Sequence, residues 1–173
     1  MSNEHFYLIA LGSNKRHALL GHPAKILEHA IAALEMDDVS VFSHSPIIAG
    51  RPQGPSQRDF ANSAVLISAA LMPDELLPRL QQIEAHFGKR ARGQRWRERV
   101  LDLDIILWSG GIWSSNDPAL AIPHPAFQNR HFVLQPASQI ASDWRDPVTG
   151  QTISQLLYRI NRSKRVDPNG NQH

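Results

Sequence analysis

The sequence predicts an α+β domain with a ferredoxin-like βαββαβ core. Two observations lead to this fold class. First, segments with strand-like and helix-like apolar spacing follow one another in the order strand, helix, strand, strand, helix, strand, an order that builds an antiparallel sheet with helices on one face. Second, the 173 residues contain no internal repeat and no linker, so one domain with one core is expected. A helical extension follows this core at the C-terminal end.

The first half of the chain supplies three predicted strands and one helix. The predicted elements are a strand over residues 6–11, a helix over residues 23–36, a β-rich segment over residues 39–48, a loop over residues 49–57 and a strand over residues 60–67. The turn-forming residues Gly12, Ser13 and Asn14 end the first strand. Pro23 stands where the first turn of a helix tolerates proline, and Pro46 interrupts the β-rich segment.

The second half supplies the remaining core elements and the extension. In the core we predict a helix that begins at Pro73 and ends before Gly88, an exposed arginine-rich loop over residues 89–99 and a strand over residues 101–108. In the extension we predict a tight segment over residues 123–128, a helix from residue 130 to about residue 134 and an amphipathic segment over residues 152–160. A turn at residues 109–111 is predicted to lead into a short hairpin through Ile112 and Trp113. We expect a single domain over residues 1–162 and a disordered polar tail over residues 163–173.

The composition restricts the possible classes of protein. The net charge of +2 and the hydrophobic fraction of 42% are typical of a globular protein and do not by themselves require nucleic acid or an anionic membrane. Because the chain has no cysteine, it has neither a disulfide framework nor a thiolate metal site. No apolar stretch approaches the roughly 20 residues of a membrane span, and the N-terminal residues do not resemble a signal peptide. These features predict a cytoplasmic protein.

Asp102 and Asp104, on either side of Leu103, are the strongest local signal of chemistry. In a strand, alternation places both carboxylates on one face with Cα atoms roughly 6–7 Å apart, while Leu103 points into the core. Two neighbouring carboxylates repel each other and favour a cation between them, and Mg²⁺ prefers oxygen ligands that it shares with phosphates. An isolated pair of this kind is more often a solvated strand end that pairs with nearby arginines.

A cluster of cations directly before this strand favours the functional interpretation. Its members are Lys89, Arg90, Arg92, Arg95, Arg97 and Arg99. Cations beside a carboxylate pair suit polyphosphate chemistry, in which a metal bridges phosphate oxygens and guanidinium groups stabilise the charge of the transition state. A solvated basic loop is the simpler explanation, and binding of nucleic acid through the arginines and Trp96 is the rival functional one. The sequence has no P-loop, no G-x-G-x-x-G, no G-x-S-x-G and no H-E-x-x-H motif.

Taken together, these segments resemble the 6-hydroxymethyl-dihydropterin pyrophosphokinase family of folate biosynthesis over nearly the whole chain. The opening A-L-G-S-N, residues 10–14, is similar to the family's first strand and turn. Residues 57–62 match Q-x-x-[FY]-x-N, residues 81–84 match Q-x-x-E, and residues 95–104 match R-W-x-x-R-x-L-D-L-D. Residues 123–132 match P-H-x(5)-R-x-F. Each motif is weak alone, but all of them in this order are highly specific.

The resemblance implies a role for each matching residue. The catalytic residues would be Arg95, Arg99, Asp102 and Asp104, and the two aspartates would also hold two Mg²⁺ ions. Contacts with ATP would come from Gln81, Glu84, Arg92, Arg95, Trp96, Arg99, Ile105, His124 and Arg130. Contacts with the pterin would come from Ala49, Gly50, Pro52, Phe60, Asn62, Trp96, Asp102 and Phe132. Phe60 and Phe132 would enclose the flat ring system while Asn62 binds its edge.

Three loop positions depart from the family pattern. The usual glycine and proline of R-W-G-P-R are Arg97 and Glu98 here. One expected arginine falls on Ala91, where Arg90 or Arg92 would substitute. The T-x-P motif before the pterin segment is replaced by A-G-R-P, residues 49–52. The metal, aromatic and histidine positions match, so an active enzyme is the main expectation.

The resemblance implies transfer of the β,γ-diphosphate of ATP to the hydroxymethyl group of a reduced pterin. The arginine-rich loop would close over the reacting groups and exclude water. The expected partners are therefore these two small molecules, with no nucleic acid and no membrane, and the protein is expected to be a monomer. Two alternatives stay open: a pterin- or nucleotide-binding relative without turnover, and an RNA-binding module on a ferredoxin-like sheet.

Overall fold

The structure, a computed structural model, describes residues 4–50, 59–88, 100–117 and 119–166, with side chains as far as residue 163. Its strands and helices are, in chain order, β1 (His5–Ser13), α1 (Pro23–Ala33), β2 (Val39–His44), β3 (Ile48–Gly50), β4 (Phe60–Ala69), α2 (Pro73–Phe87), β5 (Asp102–Trp108), β6 (Trp113–Asn116), β7 (Ala119–Ile122), α3 (His131–Ser138) and α4 (Ile153–Val166). A 3₁₀ turn over Phe127–Asn129 precedes α3. No helix of the described part is long and apolar enough to cross a membrane.

The main sheet is antiparallel and has the strand order β2-β4-β1-β5, with β3 also paired to β4. The first strand therefore lies between the third and fourth long strands, with the second at an edge, which is the ferredoxin-like order. The predicted fold class is confirmed. The β-rich segment is divided at Pro46 as predicted, so β2 and β3 follow one another along the same edge of β4.

Helices cover both faces of the sheet. On one face, Tyr7, Ile9 and Leu11 of β1 pack against the apolar sides of α1 and α2. On the other face, Leu8 and Ala10 pack under α3 and α4. The sequence predicted helices on one face, but the C-terminal extension covers the second one. Burial on both faces explains why β1 is apolar at almost every position instead of alternating.

This double cover bears on the RNA-binding alternative. Proteins that bind RNA on a ferredoxin-like sheet stack bases on aromatic residues of an open sheet face. Here α1 and α2 lie on one face, and α3 and α4 lie on the other. Much of each face of the sheet is therefore covered by helices, and the aromatic Phe60 borders a cleft instead of an extended open face.

Element boundaries differ from the predicted ones where tertiary contacts extend or shorten a segment. β1 continues through Gly12 and Ser13, because both pair with β4 instead of forming a turn. Ala49 and Gly50, predicted as loop, form the end of β3. α1 ends three residues before its predicted end, whereas α3 runs to residue 138 instead of about 134. α4 runs to Val166, so the first residues of the predicted tail are helical.

The predicted turn at residues 109–111 is present, with an antiparallel bridge between Trp108 and Gly111, but the predicted continuation into a hairpin through Ile112 and Trp113 is wrong. Trp113 begins β6, which pairs with β7 in a separate two-stranded sheet. The outer edge of β5 is occupied instead by the chain after β7, where the His124 N–H donates to the Ile106 carbonyl oxygen at 3.0 Å. The Trp113 ring packs edge-on against the Trp108 ring, with centroids 5.5 Å apart.

Candidate active site

Asp102 and Asp104 project from the start of β5 on the face that α3 and α4 cover. Leu103 between them is 3% exposed and points into the opposite core, as strand alternation requires. The Asp104 side chain is 42% exposed. The two carboxylates are therefore presented together at one end of the sheet, as the sequence predicted.

The register of the sheet continues this arrangement across three strands. Each row consists of one residue of β1 and its partners on β4 and β5. In the first row Leu8 lies between Leu66 and Leu107. In the second row Ala10 lies between Ala64 and Asp104, and in the third row Gly12 lies between Asn62 and Asp102. Side chains in these rows share a face, and they become smaller or more polar toward the end of β1. Neighbouring strands lie about 5 Å apart, so the Cα atoms of Asn62 and Asp102 are separated by about 10 Å. Gly12 has no side chain, and the Asn62 Oδ1 atom lies 3.4 Å from where its Cβ atom would be.

Two phenylalanines stand beside these rows. The Phe60 ring lies over Gly50 of the neighbouring strand, since a Cβ atom at position 50 would be 2.8 Å from the end of the ring. Phe132, in the first turn of α3, is 53% exposed, which is unusual for a large apolar side chain. The Arg130 guanidinium lies 6.0 Å from the centre of the Phe132 ring.

These elements enclose a cleft of about 260 Å³. It is lined by Ala10, Leu11, Gly12, Ser13, Asn14, Phe60, Asn62, Asp102, Asp104, Arg130, Phe132 and Val133. The structure thus brings together six residues that the sequence assigned to a site from three separate motifs. It adds the segment of residues 10–14, which had no assigned role. The small residues and the turn-forming Ser13 and Asn14 directly after a buried strand were the available signal.

His124 lies beside the acidic pair. Its backbone N–H bonds to β5, and its Nδ1 lies 2.8 Å from the Pro125 carbonyl oxygen. A carbonyl oxygen can only accept, so Nδ1 carries the proton in this contact. Nε2 then faces the Asp104 Oδ1 atom at 3.9 Å, beyond hydrogen-bond distance.

Glu84 and Gln81 of α2 are placed differently from each other. The Glu84 Oε1 atom accepts a hydrogen bond from the Leu103 backbone N–H at 2.7 Å, directly between the two aspartates. Gln81, almost one turn earlier, has an exposed side chain. The resemblance implied that both contact ATP, but the structure engages the Glu84 carboxylate with the backbone of β5.

Three further predicted site residues do not line the cleft with their side chains. The Ile105 side chain is 3% exposed and lies in the core under α1 and α2, on the opposite face from Asp104. A nucleotide can meet this residue through its backbone alone. Ala49 and Gly50 lie in β3, and Gly50 underlies the Phe60 ring.

The remaining predicted residues are Pro52, Arg92, Arg95, Trp96 and Arg99, and they lie outside the described residues. The departures at residues 51–52, 91 and 97–98 lie outside them as well. The described part contains no group of three or more histidine or acidic residues that could hold a metal alone. Two accessible carboxylates are nevertheless the oxygen donors that Mg²⁺ takes when phosphates and water complete its shell. Asp102 and Asp104 fit that ion.

Comparisons with known proteins agree on one family. The family model described as 7,8-dihydro-6-hydroxymethylpterin-pyrophosphokinase matches residues 8–142. Two curated relatives are named 2-amino-4-hydroxy-6-hydroxymethyldihydropteridine pyrophosphokinase. The protein from Synechocystis sp. is 39% identical over 157 residues, covering 90% of this chain and 76% of the relative. The protein from Haemophilus influenzae is 37% identical over 163 residues, covering 93% and 96%.

Solved structures show the same fold at lower sequence identity. The wild-type Plasmodium falciparum HPPK-DHPS with STZ-DHP superposes with a TM-score of 0.71 at 13% identity, covering 95% of this chain and 45% of that one. The same protein with pterin and p-hydroxybenzoate gives a TM-score of 0.69 at 14% identity, covering 96% and 45%. The chain therefore spans slightly less than half of these structures, and the likeness concerns the fold alone.

Proposed function

The chain belongs to the 7,8-dihydro-6-hydroxymethylpterin-pyrophosphokinase family, and on that premise we propose that the cleft between Asp102 and Phe132 is its active site. The enzyme is a 2-amino-4-hydroxy-6-hydroxymethyldihydropteridine diphosphokinase. It transfers the β,γ-diphosphate of ATP to the hydroxymethyl group of 6-hydroxymethyl-7,8-dihydropterin, which gives AMP and the pterin diphosphate in folate biosynthesis.

One observation carries the assignment of the site. A pair of carboxylates and a pair of phenylalanines border the same cleft, and the strand that carries Phe60 lies two strand spacings from the strand that carries the carboxylates. The reaction needs a flat apolar surface for the pterin and an anionic, metal-binding end for the polyphosphate, a short distance apart. The cleft offers both.

At the pterin end, Phe60 and Phe132 supply ring faces and Asn62 supplies a polar group. A flat heteroaromatic ring stacks favourably on such side chains. The Asn62 amide both donates and accepts hydrogen bonds, so it can pair with the donor and acceptor atoms along the edge of the pterin. Because Gly12 has no side chain, the Asn62 amide can lie over it, between the aromatic side chains and β5.

At the phosphate end, Asp102 and Asp104 would hold Mg²⁺, with two ions as our proposal. When bound, the metal neutralises phosphate charge and orients the oxygens for attack. Arg130 lines the same end and carries donors for phosphate oxygens, and the Nε2 atom of His124 faces Asp104 there. We assign both residues to the nucleotide. The five predicted residues outside the described part keep their proposed roles.

The contribution of this chain to the chemistry is mainly positioning. The pterin hydroxyl must approach the β-phosphorus in line with the departing AMP oxygen. The transition state of such a transfer is stabilised mainly by alignment of the reactants and by charge, and not by covalent catalysis. Residues anchored on β4, β5 and α3 hold the two reactants at fixed ends of one rigid cleft. We also propose that the enzyme is a cytoplasmic monomer of one domain, and that it acts on small molecules without a nucleic-acid or membrane partner.

Phosphorus NMR of ATP, Mg²⁺ and the reduced pterin with the purified protein tests this function. We expect AMP to appear in step with the loss of ATP, and two coupled phosphorus signals to appear on the pterin. A control without pterin should leave ATP intact. Formation of ADP with a monophosphorylated pterin, or ATP turnover independent of pterin, would contradict the proposed site chemistry.

A further inference from the structure

We infer that Glu84 is a positioning residue, whose carboxylate fixes the strand segment that presents Asp102 and Asp104. This inference rests on the proposed function, because it concerns the same acidic pair. It changes the role of Glu84 from a contact with the nucleotide to a contact with the protein backbone beneath the metal site.

The hydrogen bond occupies a particular place on β5. β5 is an edge strand, and successive N–H groups along a strand point to opposite edges. The Leu103 N–H points away from β1, and the Glu84 Oε1 atom accepts it at 2.7 Å. A hydrogen bond to a carboxylate is stronger than one between neutral groups. The peptide group between the two aspartates is therefore held from outside the sheet.

The same helix holds Leu103 a second time, through its side chain. Leu103 is buried in the core cluster that contains Ile83 and Phe87, the residues next to and three positions after Glu84 on α2. The Leu103 side chain thus lies in the core that includes this face of α2, while its backbone N–H is bound by Glu84 of the same helix. Because Asp102 and Asp104 flank this residue and point to the other face, a rotation of its peptide planes would turn both carboxylates together.

Charge also favours this role over a phosphate contact. A carboxylate repels a polyphosphate, whereas it interacts favourably with a backbone N–H and with a cation nearby. Glu84 is half-buried and adds a third negative charge close to the acidic pair. The acceptor oxygen and the charge are separable, because glutamine retains the oxygen and removes the charge.

The opposite edge of the sheet contains a matched control. Glu35, two residues after α1, accepts a hydrogen bond from the Val41 N–H of edge strand β2 at 2.8 Å. The chemistry is the same, a glutamate that caps an outward N–H of an edge strand. Two strands, β4 and β1, separate this contact from β5, and it borders no part of the cleft.

Amide hydrogen exchange of the ¹⁵N-labelled, ligand-free protein tests the contact itself. In Glu84→Ala, we expect the Leu103 amide to exchange on the order of tenfold faster or more, as loss of one charge-assisted hydrogen bond implies. In Glu84→Gln the amide should stay largely protected, and in Glu35→Ala it should not change. Unchanged exchange at Leu103 in Glu84→Ala overturns the inference, whatever the enzyme's activity.

Kinetics and binding test the consequence. Loss of a group that orients metal ligands typically lowers metal affinity or activity about 10- to 100-fold. We expect a loss of that size in kcat or in Mg²⁺ activation for Glu84→Ala, substantial recovery in Glu84→Gln, and an unchanged kcat in Glu35→Ala. ATP affinity measured in EDTA should be the same in all of them. A fall of that affinity in both Glu84 variants would make Glu84 a nucleotide ligand and overturn the inference.

The two proposals fail in distinguishable ways. If wild-type protein forms no AMP and no pterin diphosphate, the proposed active site fails, while the exchange of Leu103 and Mn²⁺ binding followed by electron paramagnetic resonance still decide the role of Glu84. If wild type is active but Glu84→Gln is as impaired as Glu84→Ala with its Leu103 amide protected, the charge and not the position matters, and the inference is wrong.

Discussion

Gly50→Ala should weaken pterin binding without loss of stability. Gly50 lies in β3 opposite Phe60, and its backbone is outside the left-handed region, so alanine can adopt it without strain. The added methyl group would lie 2.8 Å from the Phe60 Cζ atom and 3.2 Å from Cε1. Carbon atoms pack at about 3.5 Å or more. The end of the Phe60 ring must therefore retreat by roughly 0.7 Å.

The magnitude follows from the contact that the displaced ring loses. A gap of about 0.5–1 Å removes a quarter to a half of the dispersion energy of a contact. For the contact between the Phe60 ring and a stacked pterin, this fraction corresponds to a loss of about 0.5–1 kcal/mol. Such a loss raises the Kd for the pterin roughly two- to fivefold. Replacing a strand glycine by alanine meanwhile contributes about 0.4–1 kcal/mol to stability by restricting the unfolded chain. This gain opposes the cost of displacing the ring, so stability should change little while pterin affinity falls.

Calorimetry and thermal unfolding measure the two quantities on the same samples. The pterin is titrated in the presence of a non-hydrolysable ATP analogue, and the analogue is also titrated alone. Phe60→Leu and the double variant with Gly50→Ala complete a thermodynamic cycle. Because the leucine side chain is shorter than the ring, Gly50→Ala should have little further effect on pterin affinity in the Phe60→Leu background.

Three results would refute this reasoning. An equal loss of affinity for the pterin and for the ATP analogue would indicate a general disturbance of the site and not a displaced ring. A full effect of Gly50→Ala in the Phe60→Leu background would show that the methyl group meets the pterin directly or moves β3. An unchanged Kd for the pterin in Gly50→Ala would remove Phe60 from the ring-binding surface.

Three further predictions follow from single side chains. Asp104→Ala should lower AMP formation by more than about 100-fold, as for other groups that stabilise transition-state charge, while Tm in EDTA holds or rises because repulsion within the acidic pair is relieved; near wild-type turnover would exclude this carboxylate from the site. Phe132→Ala should weaken pterin binding by about 1–3 kcal/mol with little change in Tm, since the ring is half exposed; calorimetry would contradict this if both ligands weakened equally. Burial, with a smaller contribution from Glu75 and Asp74, raises the pKa of Tyr7 above its ordinary value. The folded state therefore retains the proton longer, and stability should fall as pH rises above about 10. Urea unfolding should show a weaker decline in Tyr7→Phe, and equal declines would contradict the assignment.

The sequence predicted the core because local signals and burial agree there. The helix that opens at Pro73 and ends before Gly88 has the predicted bounds, since proline, the first-turn acids and glycine all act locally. The Asp102 and Asp104 pair was predicted because strand alternation alone fixes their common face. Such features depend on neighbours in sequence, and no tertiary contact overrides them.

The hairpin after β5 was not predictable in the same way. Its turn residues and aromatic side chains are compatible with pairing back onto β5. The edge of β5 is instead filled by the chain at His124, some fifteen residues beyond the turn. Which segment takes an edge depends on competition between distant parts of the chain, and periodicity contains no information about that outcome.

The role of Glu84 shows the same limit within the site. Its position on α2, three residues after Gln81, identifies it as part of a motif but not as a ligand of a particular group. The partner, the Leu103 N–H, is a backbone group that every residue except proline carries. Only the packing of α2 against the free edge of β5 brings the two together.

The cleft itself arises from register more than from composition. The three rows across β4, β1 and β5 pass from leucines, through alanines with Asp104, to Asn62, Gly12 and Asp102. On this face of the sheet, the part under α3 and α4 is hydrophobic core. The part of the same strands that extends beyond these helices forms the ligand surface. A slip of one residue between β1 and either neighbour would place Leu11 or Ser13, instead of Gly12, beside Asp102 or Asn62. Gly12 therefore belongs to the site through its pairing partners, and this is why strand alternation pointed to the acids on β5 but not to the glycine opposite them.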